Sequence, residues 1–396
     1  QPRLVPLSAR VSQCLVAVPE ELDFGNIKLG CRSAPRTVQL FNTCGSPVRI
    51  FSTGISGMGF GISATPSIPT GGLVVTPAST GVPVSVVFGP PPSVGTYNGA
   101  LAIGSGEGST MRTFNIALRA VGDTTGVTTE TFQQPSQPMT DILFTIDNSC
   151  SMSEEQSQLA MNFASFISYA TTANVDYRIA VTTDNDDGFV NPNNCWDQPN
   201  KWIDSVGNTP ASVAKSFNCA VSGFGNNTFE AAVGCEHVLT SAADLLASDK
   251  SGFIRKDALL VLVMVTDVDD YGAYDQMNGN SCGIGCATAP TALPALLQKL
   301  VTVKNDDLGG VAAVVIAGDP SLNGGMNFCG QPGSCGCNGL DCGVFHADRL
   351  YQFTGMLAGN GYAADLCKGT KSVPEAVKTA LTEKIDLACM KFDPPS

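Results

Sequence analysis

Asp147, Ser149 and Ser151 alternate in a short polar run, DNSCSMS, directly after the apolar stretch DILFTI. One carboxylate and two hydroxyls spaced two residues apart can turn three hard oxygens toward one point, and such donors suit Mg²⁺, Mn²⁺ or Ca²⁺. DILFTI is bounded and apolar or β-branched almost throughout, which predicts a buried strand covered on both faces. Ser153 followed by Glu154 and Glu155 predicts a helix start, and SEEQSQLAMNFASFISYA carries apolar positions at helical spacing. The oxygens therefore fall in a loop between the carboxyl end of a strand and a helix, where open α/β sheets place their ligands. A later hydrophobic run, LLVLVMVTD, delivers Asp267 to a second strand end.

The elements that must position these groups follow from the pattern along the chain. Residues 1–122 alternate in short segments, RTVQLF, PVSVVF, ALAIGS and FNIALRAV, between Gly, Pro and Ser clusters, which predicts an antiparallel sandwich. Residues 123–140 lack periodicity and are rich in Thr, Gln, Pro and Gly, as a linker is. From 141 to 392 strand-like and helix-like stretches take turns: VDYRIAVTTD, TFEAAVGCEHVLTSAADLLA, ALLVLVMVTD, TALPALLQKLVTV, GVAAVVIAGD, HADRLYQFTGMLA, GYAADLC and a closing VPEAVKTALTEKI. A long polar insertion, 188–223, interrupts them. The alternation predicts a largely parallel sheet with helices on both faces, an α/β doubly wound, Rossmann-like domain after an all-β one.

D-x-S-x-S after a strand, a Thr at a downstream helix start and an Asp closing a later strand together resemble the von Willebrand factor A domain with its metal-ion-dependent adhesion site. The resemblance covers roughly residues 135 to 390. It implies that Ser149 and Ser151 bind a divalent cation directly, while Asp147, Thr228 and Asp267 act directly or through water. Two departures stand out: the Thr sits in Asn226-Asn227-Thr228 where Gly-Thr-Gly is common, and Cys150 replaces a small residue inside the motif. In the first part, LDFGNIKLG, RTVQLFNTCGSPVRI, VVFGPPPSVGTYNGALAI and NIALRAVG resemble the immunoglobulin-like domain of abnormal-spindle and hydin proteins, common in bacterial surface proteins. Its usual role is spacer or docking module.

Other clusters admit blander readings. Asp184 to Asp187, and Asp269 with Asp270, form either a second cation site or solvated loop carboxylates. Cys329, Cys335, Cys337 and Cys342 with His346 could hold zinc, but the spacing is irregular and a disulfide-pinned insertion fits an oxidising compartment better. His237 falls mid-helix and reads as structural. Two histidines give no convincing Ser-His-Asp order, and a phosphate-binding G-x-x-x-x-G-K-[ST] loop is absent.

Composition narrows the function classes. The 396 residues, 43% hydrophobic, suffice for two cores, and the longest apolar run is too short to cross a bilayer. Gln1 in place of Met suggests a processed start, and the PPS ending looks like a linker cut short. Fifteen cysteines argue for disulfides outside the cytoplasm, with Cys31–Cys44, Cys195–Cys219 and Cys367–Cys389 the short-range expectations. The first 125 residues carry eight Lys/Arg and five Asp/Glu, the rest 14 and 30, so the parts differ as +3 and −16. The acidic part will not hold nucleic acid by its phosphates. The expected protein is a non-enzymatic, secreted or cell-surface adhesion module. A divalent cation, Mg²⁺ before Ca²⁺ or Mn²⁺, would bridge Asp147, Ser149, Ser151, Thr228 and Asp267 to a carboxylate on a protein or surface partner. A structural fibre or envelope subunit and a metal-dependent phosphoesterase are the other classes.

Overall fold

The computed structural model describes residues 14–77, 79–107, 110–124, 139–149, 175–184, 188–191, 194–196, 201–224, 237–270, 291–326, 332–334 and 344–367, with Met152, Leu159, Phe163 and Ile167. The chain divides into two compact units, Gln1–Thr124 and Thr125–Ser396.

The first unit is a β-sandwich. One sheet has the order β1 (Leu15–Val18), β3 (Arg36–Asn42), β7 (Val82–Phe88), β5 (Phe60–Ala64). The other has the order β2 (Glu21–Lys28), β9 (Thr110–Asp123), β8 (Gly95–Glu107), β4 (Val48–Ser56), β6 (Leu73–Val75). Side chains alternate across a strand, so Leu22 and Phe24 of β2 point inward between exposed Glu21 and Asp23. They meet Val84, Val86 and Phe88 of β7 and Leu101 and Ile103 of β8 in one core. Phe24, Phe60 and Phe88 form an aromatic cluster at its centre, Phe60 and Phe88 lying 4.8 Å apart between ring centroids.

Cys14 and Cys44 pin β1 to the turn after β3. The expected Cys31–Cys44 pair is thus corrected: Cys31 is free and exposed. Proximity in sequence favoured Cys31, whereas antiparallel pairing of β1 with β3, Leu15 opposite Asn42, carries Cys14 to Cys44. The Cys195–Cys219 disulfide forms as expected. Cys367 is disulfide-bonded, and Cys389 lies outside the described residues.

The second unit is built on a six-stranded sheet ordered β12 (Ile203–Asp204), β11 (Asp176–Thr183), β10 (Met139–Ile146), β13 (Leu259–Val265), β14 (Val311–Ala317), β17 (Gly361–Asp365). All neighbours pair in parallel except β11 with β12. β13 and β14 are buried over their whole length, as their unbroken apolar runs require. Helix α1 (Pro210–Phe224) sets Val213, Phe217 and Val221 against Ile142, Phe144 and Ile146. Leu159, Phe163 and Ile167, helical and four residues apart, join the same core, with Phe163 stacked on Phe217. Helix α2 (Val238–Ser248) lies against β10, β11 and β13, and α3 (Leu293–Thr302) packs beside it.

The expectation of an α/β doubly wound, Rossmann-like domain is corrected. Among the described residues the protein is mostly β, 42% strand and 20% helix. The six-stranded sheet is mixed, and a second antiparallel pair, β15 (Gly325–Met326) with β16 (Pro332–Gly333), follows β14. The segment expected to be a polar insertion, 188–223, contributes β12 and most of α1. Its apolar positions are spread too thinly among polar residues for periodicity to show them. Helix α2 begins at Val238, so His237 precedes the first turn instead of lying mid-helix.

Near the start of β10 the sheet encloses a compensated charge. Asp141 is fully buried, and Arg255 donates to it from both its backbone N, at 2.6 Å, and Nε, at 2.8 Å. Arg255 also reaches Asp176 at 3.0 Å. Lys304, equally buried, donates to the carbonyls of Arg255 and Lys256. Burial lowers its pKa to about 8. Removing one partner of a buried pair strands the other, so Arg255→Ala should cost about 3–5 kcal/mol in denaturant unfolding. Lys299→Ala, which breaks the exposed pair with Asp244, should cost about 0–1 kcal/mol.

The lowered pKa of Lys304 also fixes a sign. Above pH 8 the folded chain releases a proton that the unfolded chain holds until its pKa near 10.5, so this group's contribution to stability rises with pH across that window and is lost as pH falls through 8. Lys304→Met should remove that part of the slope in a plot of unfolding free energy against pH.

Candidate functional site

β10, β11 and β13 are neighbours, and each runs into an aspartate at its carboxyl end: Asp147 after Ile146, Asp184 after Thr183, and Asp267 two residues after Val265. Strand order reverses at β10, which has β11 on one side and β13 on the other, the kind of position where open α/β sheets place ligands. All three aspartates are buried.

Asp147 is held from three directions. Its backbone N donates to Val265 O at 3.0 Å, extending the β10–β13 pairing by one residue. Its Oδ1 accepts from Ser149 N at 2.9 Å, and its Oδ2 accepts from Thr266 Oγ1 at 2.8 Å. Ser149 is half-buried, and its carbonyl accepts from the N of fully buried Met152, which anchors the loop in the core. Asp184 accepts at Oδ1 from Asn148 N at 3.3 Å, while its carbonyl accepts from His237 N. Among the described residues its Oδ2 is buried with no hydrogen-bond partner, as are both side-chain polar atoms of Asn148. Burial first, and the facing charges of Asp147 and Asp267 with it, push the Asp184 carboxyl well above the usual range, against the hydrogen bond from Asn148.

Asp267 is placed through its backbone, since Phe345 N donates to its carbonyl at 2.8 Å. Gly318, just after β14, makes room for that approach: a Cβ there would lie 1.9 Å from Phe345 O. Ser151 and Thr228, like Cys150, lie outside the described residues. The structure therefore brings Asp147, Ser149 and Asp267 to one edge and adds Asp184, which the sequence reading had set aside among loop carboxylates. The signal for Asp184 was its place at the end of VDYRIAVTTD, one strand from Asp147.

Asp269 and Asp270 are buried rather than solvated, and both bond to helix starts. Asp270 Oδ1 accepts from Leu239 N and Thr240 N, both at 2.9 Å, and its Oδ2 accepts from Thr240 Oγ1. Asp269 accepts from Arg349 N at 2.9 Å and Leu350 N at 3.2 Å in the first turn of α4 (Asp348–Gly355). The residues preceding these helices, His237 and Ala347, give no side-chain cap. Two consecutive aspartates supply the missing caps from a distance, where the helix dipoles favour negative charge. Arg349 closes the arrangement by donating to Thr291 O and to the Asp270 carbonyl. The zinc candidates Cys329, Cys335, Cys337 and Cys342 lie outside the described residues, and His346 meets Leu322 O at 2.9 Å.

Among the described residues no three His, Cys, Asp or Glu side chains are gathered as a closed metal cage. The donor set still fits a hard cation held partly by hydroxyls and water: an orphaned buried oxygen on Asp184, a carboxylate on a tight loop and a hydroxyl beside it.

No protein family and no curated protein sequence matches the chain. Its shape is similar to parts of solved structures at low overlap. One is the pilus adhesin SpaC from Lactobacillus rhamnosus GG, at 14% identity and TM-score 0.32, covering 77% of this chain and 34% of that one. Another is the CsuC–CsuE chaperone–tip adhesion subunit complex of Acinetobacter baumannii Csu pili, at 15% identity and TM-score 0.17, covering 28% and 57%. The Vibrio cholerae VesB protease matches over 27% of this chain and 32% of that one, at 7% identity and TM-score 0.20. The chain thus spans about a third of SpaC and of VesB. The disulfides place the chain in an oxidising, extracytoplasmic setting, and no described helix is long and apolar enough to cross a membrane.

Two substitutions test how the edge is held. Asp270→Ala strips two buried N–H groups of α2 and should cost about 2 kcal/mol or more in denaturant unfolding. Gly318→Ala forces the 344–347 segment outward and should cost about 1–3 kcal/mol in the same measurement.

Proposed function

We propose that the chain is a secreted or surface-displayed binding protein whose second unit captures its partner through a divalent cation, in the manner of a von Willebrand factor A domain's metal-ion-dependent adhesion site. The observation that supports this reading is that Asp147, on its Ser149 loop, and Asp267 follow the ends of adjacent parallel strands, with Asp147 tied to the neighbouring Thr266. Asp147, Ser149 and Asp267 would hold the ion, with Ser151 and Thr228 contributing from the flanking segments. Mg²⁺ suits the set best, because it keeps several waters and needs few protein carboxylates. The ion supplies a Lewis-acidic position open to an oxygen of the partner, and a carboxylate on a protein or cell surface is the matching group. Neutral hydroxyls in the set favour capture of a ligand over activation of water, so the reading is adhesion rather than turnover. Disulfides and the absence of a described membrane-crossing helix agree with display or secretion.

Asp147 is fully buried and braces two loops, so its removal threatens folding as well as binding. Ser149→Ala is the cleaner test. It should abolish chelator-sensitive binding to carboxylate-bearing partners in a pull-down while leaving the melting temperature of the ion-free protein within about 2 °C. Binding that persists in Ser149→Ala, or that survives chelation in the parent, defeats the adhesion mechanism.

A further inference from the structure

We propose that Asp184 is a further residue of the cation site, one that holds the ion through intervening water rather than by direct contact. The inference rests on the cation reading above and deepens it. Three observations support it. Asp184 ends β11, the neighbour of β10, so it stands at the same edge as Asp147 and Asp267. Its Oδ2 is buried with no hydrogen-bond partner among the described residues, and an orphaned carboxylate oxygen in the interior calls for a cation or a polar hydrogen. Asp147 and Asp267, which act on it through their charge, are themselves acidic and aggravate the cost of its burial.

Asp147 and Asp267 act on Asp184 through their charge, and among the described residues no group of three His, Cys, Asp or Glu is placed to hold a metal ion by itself. Asp184 then adds negative charge without occupying a coordination position, and a water between it and the ion would use the orphaned oxygen as acceptor. Mg²⁺ gains most from this, since it gives up its water reluctantly, whereas Ca²⁺ exchanges water for protein oxygens readily. Asn148 belongs to the same arrangement: its backbone N fixes Asp184 Oδ1, and its own buried side-chain amide has no partner among the described residues.

The test is calorimetric titration of the disulfide-intact chain with Mg²⁺ and separately with Ca²⁺, comparing the parent with Ser149→Ala, Asp184→Asn and Asp184→Ser. Residues that act on a metal from beyond its direct ligands change affinity by roughly 10–100-fold, and that loss is expected for Mg²⁺ in both Asp184 variants, with a smaller loss for Ca²⁺. The ion-free melting temperature of Asp184→Asn should equal or exceed that of the parent, because a like charge has been removed from a buried group. A merely structural Asp184 would instead lower that temperature and leave the ion affinity alone. Unchanged Mg²⁺ affinity in both variants, or failure of both to fold, overturns the proposal. If Ser149→Ala loses the ion while the Asp184 variants keep it, the adhesion reading stands and only the role of Asp184 falls. A parent that binds neither ion defeats both.

Discussion

The architecture of the second unit depends on how it manages carboxylates buried along one strand. Near the start of β10, Asp141 is neutralised by Arg255, with Lys304 tied to the same loop through carbonyls. At its end, Asp147 is satisfied by a backbone N–H and a hydroxyl, and the groups facing its neighbour Asp184 are acidic. A desolvated carboxyl group is costly unless paired, so one end of the strand is compensated by a cationic side chain, while at the other the groups acting on Asp184 are themselves acidic.

The remaining parts read as supports for the open end. Parallel pairing of β10 with β11 and β13 fixes the spacing of the three aspartates. Phe144 of β10 packs against Phe163 and Phe217, which stack on each other. Gly318 admits the 344–347 segment, which in turn holds the Asp267 carbonyl.

Much of this was legible in the chain. DILFTI and LLVLVMV could only be buried strands, and the polar residues closing them had to share an edge once the strands paired. The sandwich strands were equally plain from alternation. Three features were not legible for physical reasons. Helix α1 hides in a polar segment, because a helix with only one narrow apolar stripe, Val213, Phe217 and Val221, leaves a weak periodic signal. Cys14 pairs with Cys44 through strand register, which sequence distance does not encode. Asp269 and Asp270 cap helices 31 and 80 residues away along the chain, and no local rule for helix starts looks that far.

The twin caps have a consequence for how this chain can change over generations. Asp269 and Asp270 serve different helices from adjacent positions, only two and three residues after Asp267. An insertion or deletion anywhere in that tetrad would slide both caps out of place together and displace the strand end as well. The length from Asp267 to Asp270 is therefore frozen, and so are the identities of its last two residues, whatever ligand the edge serves.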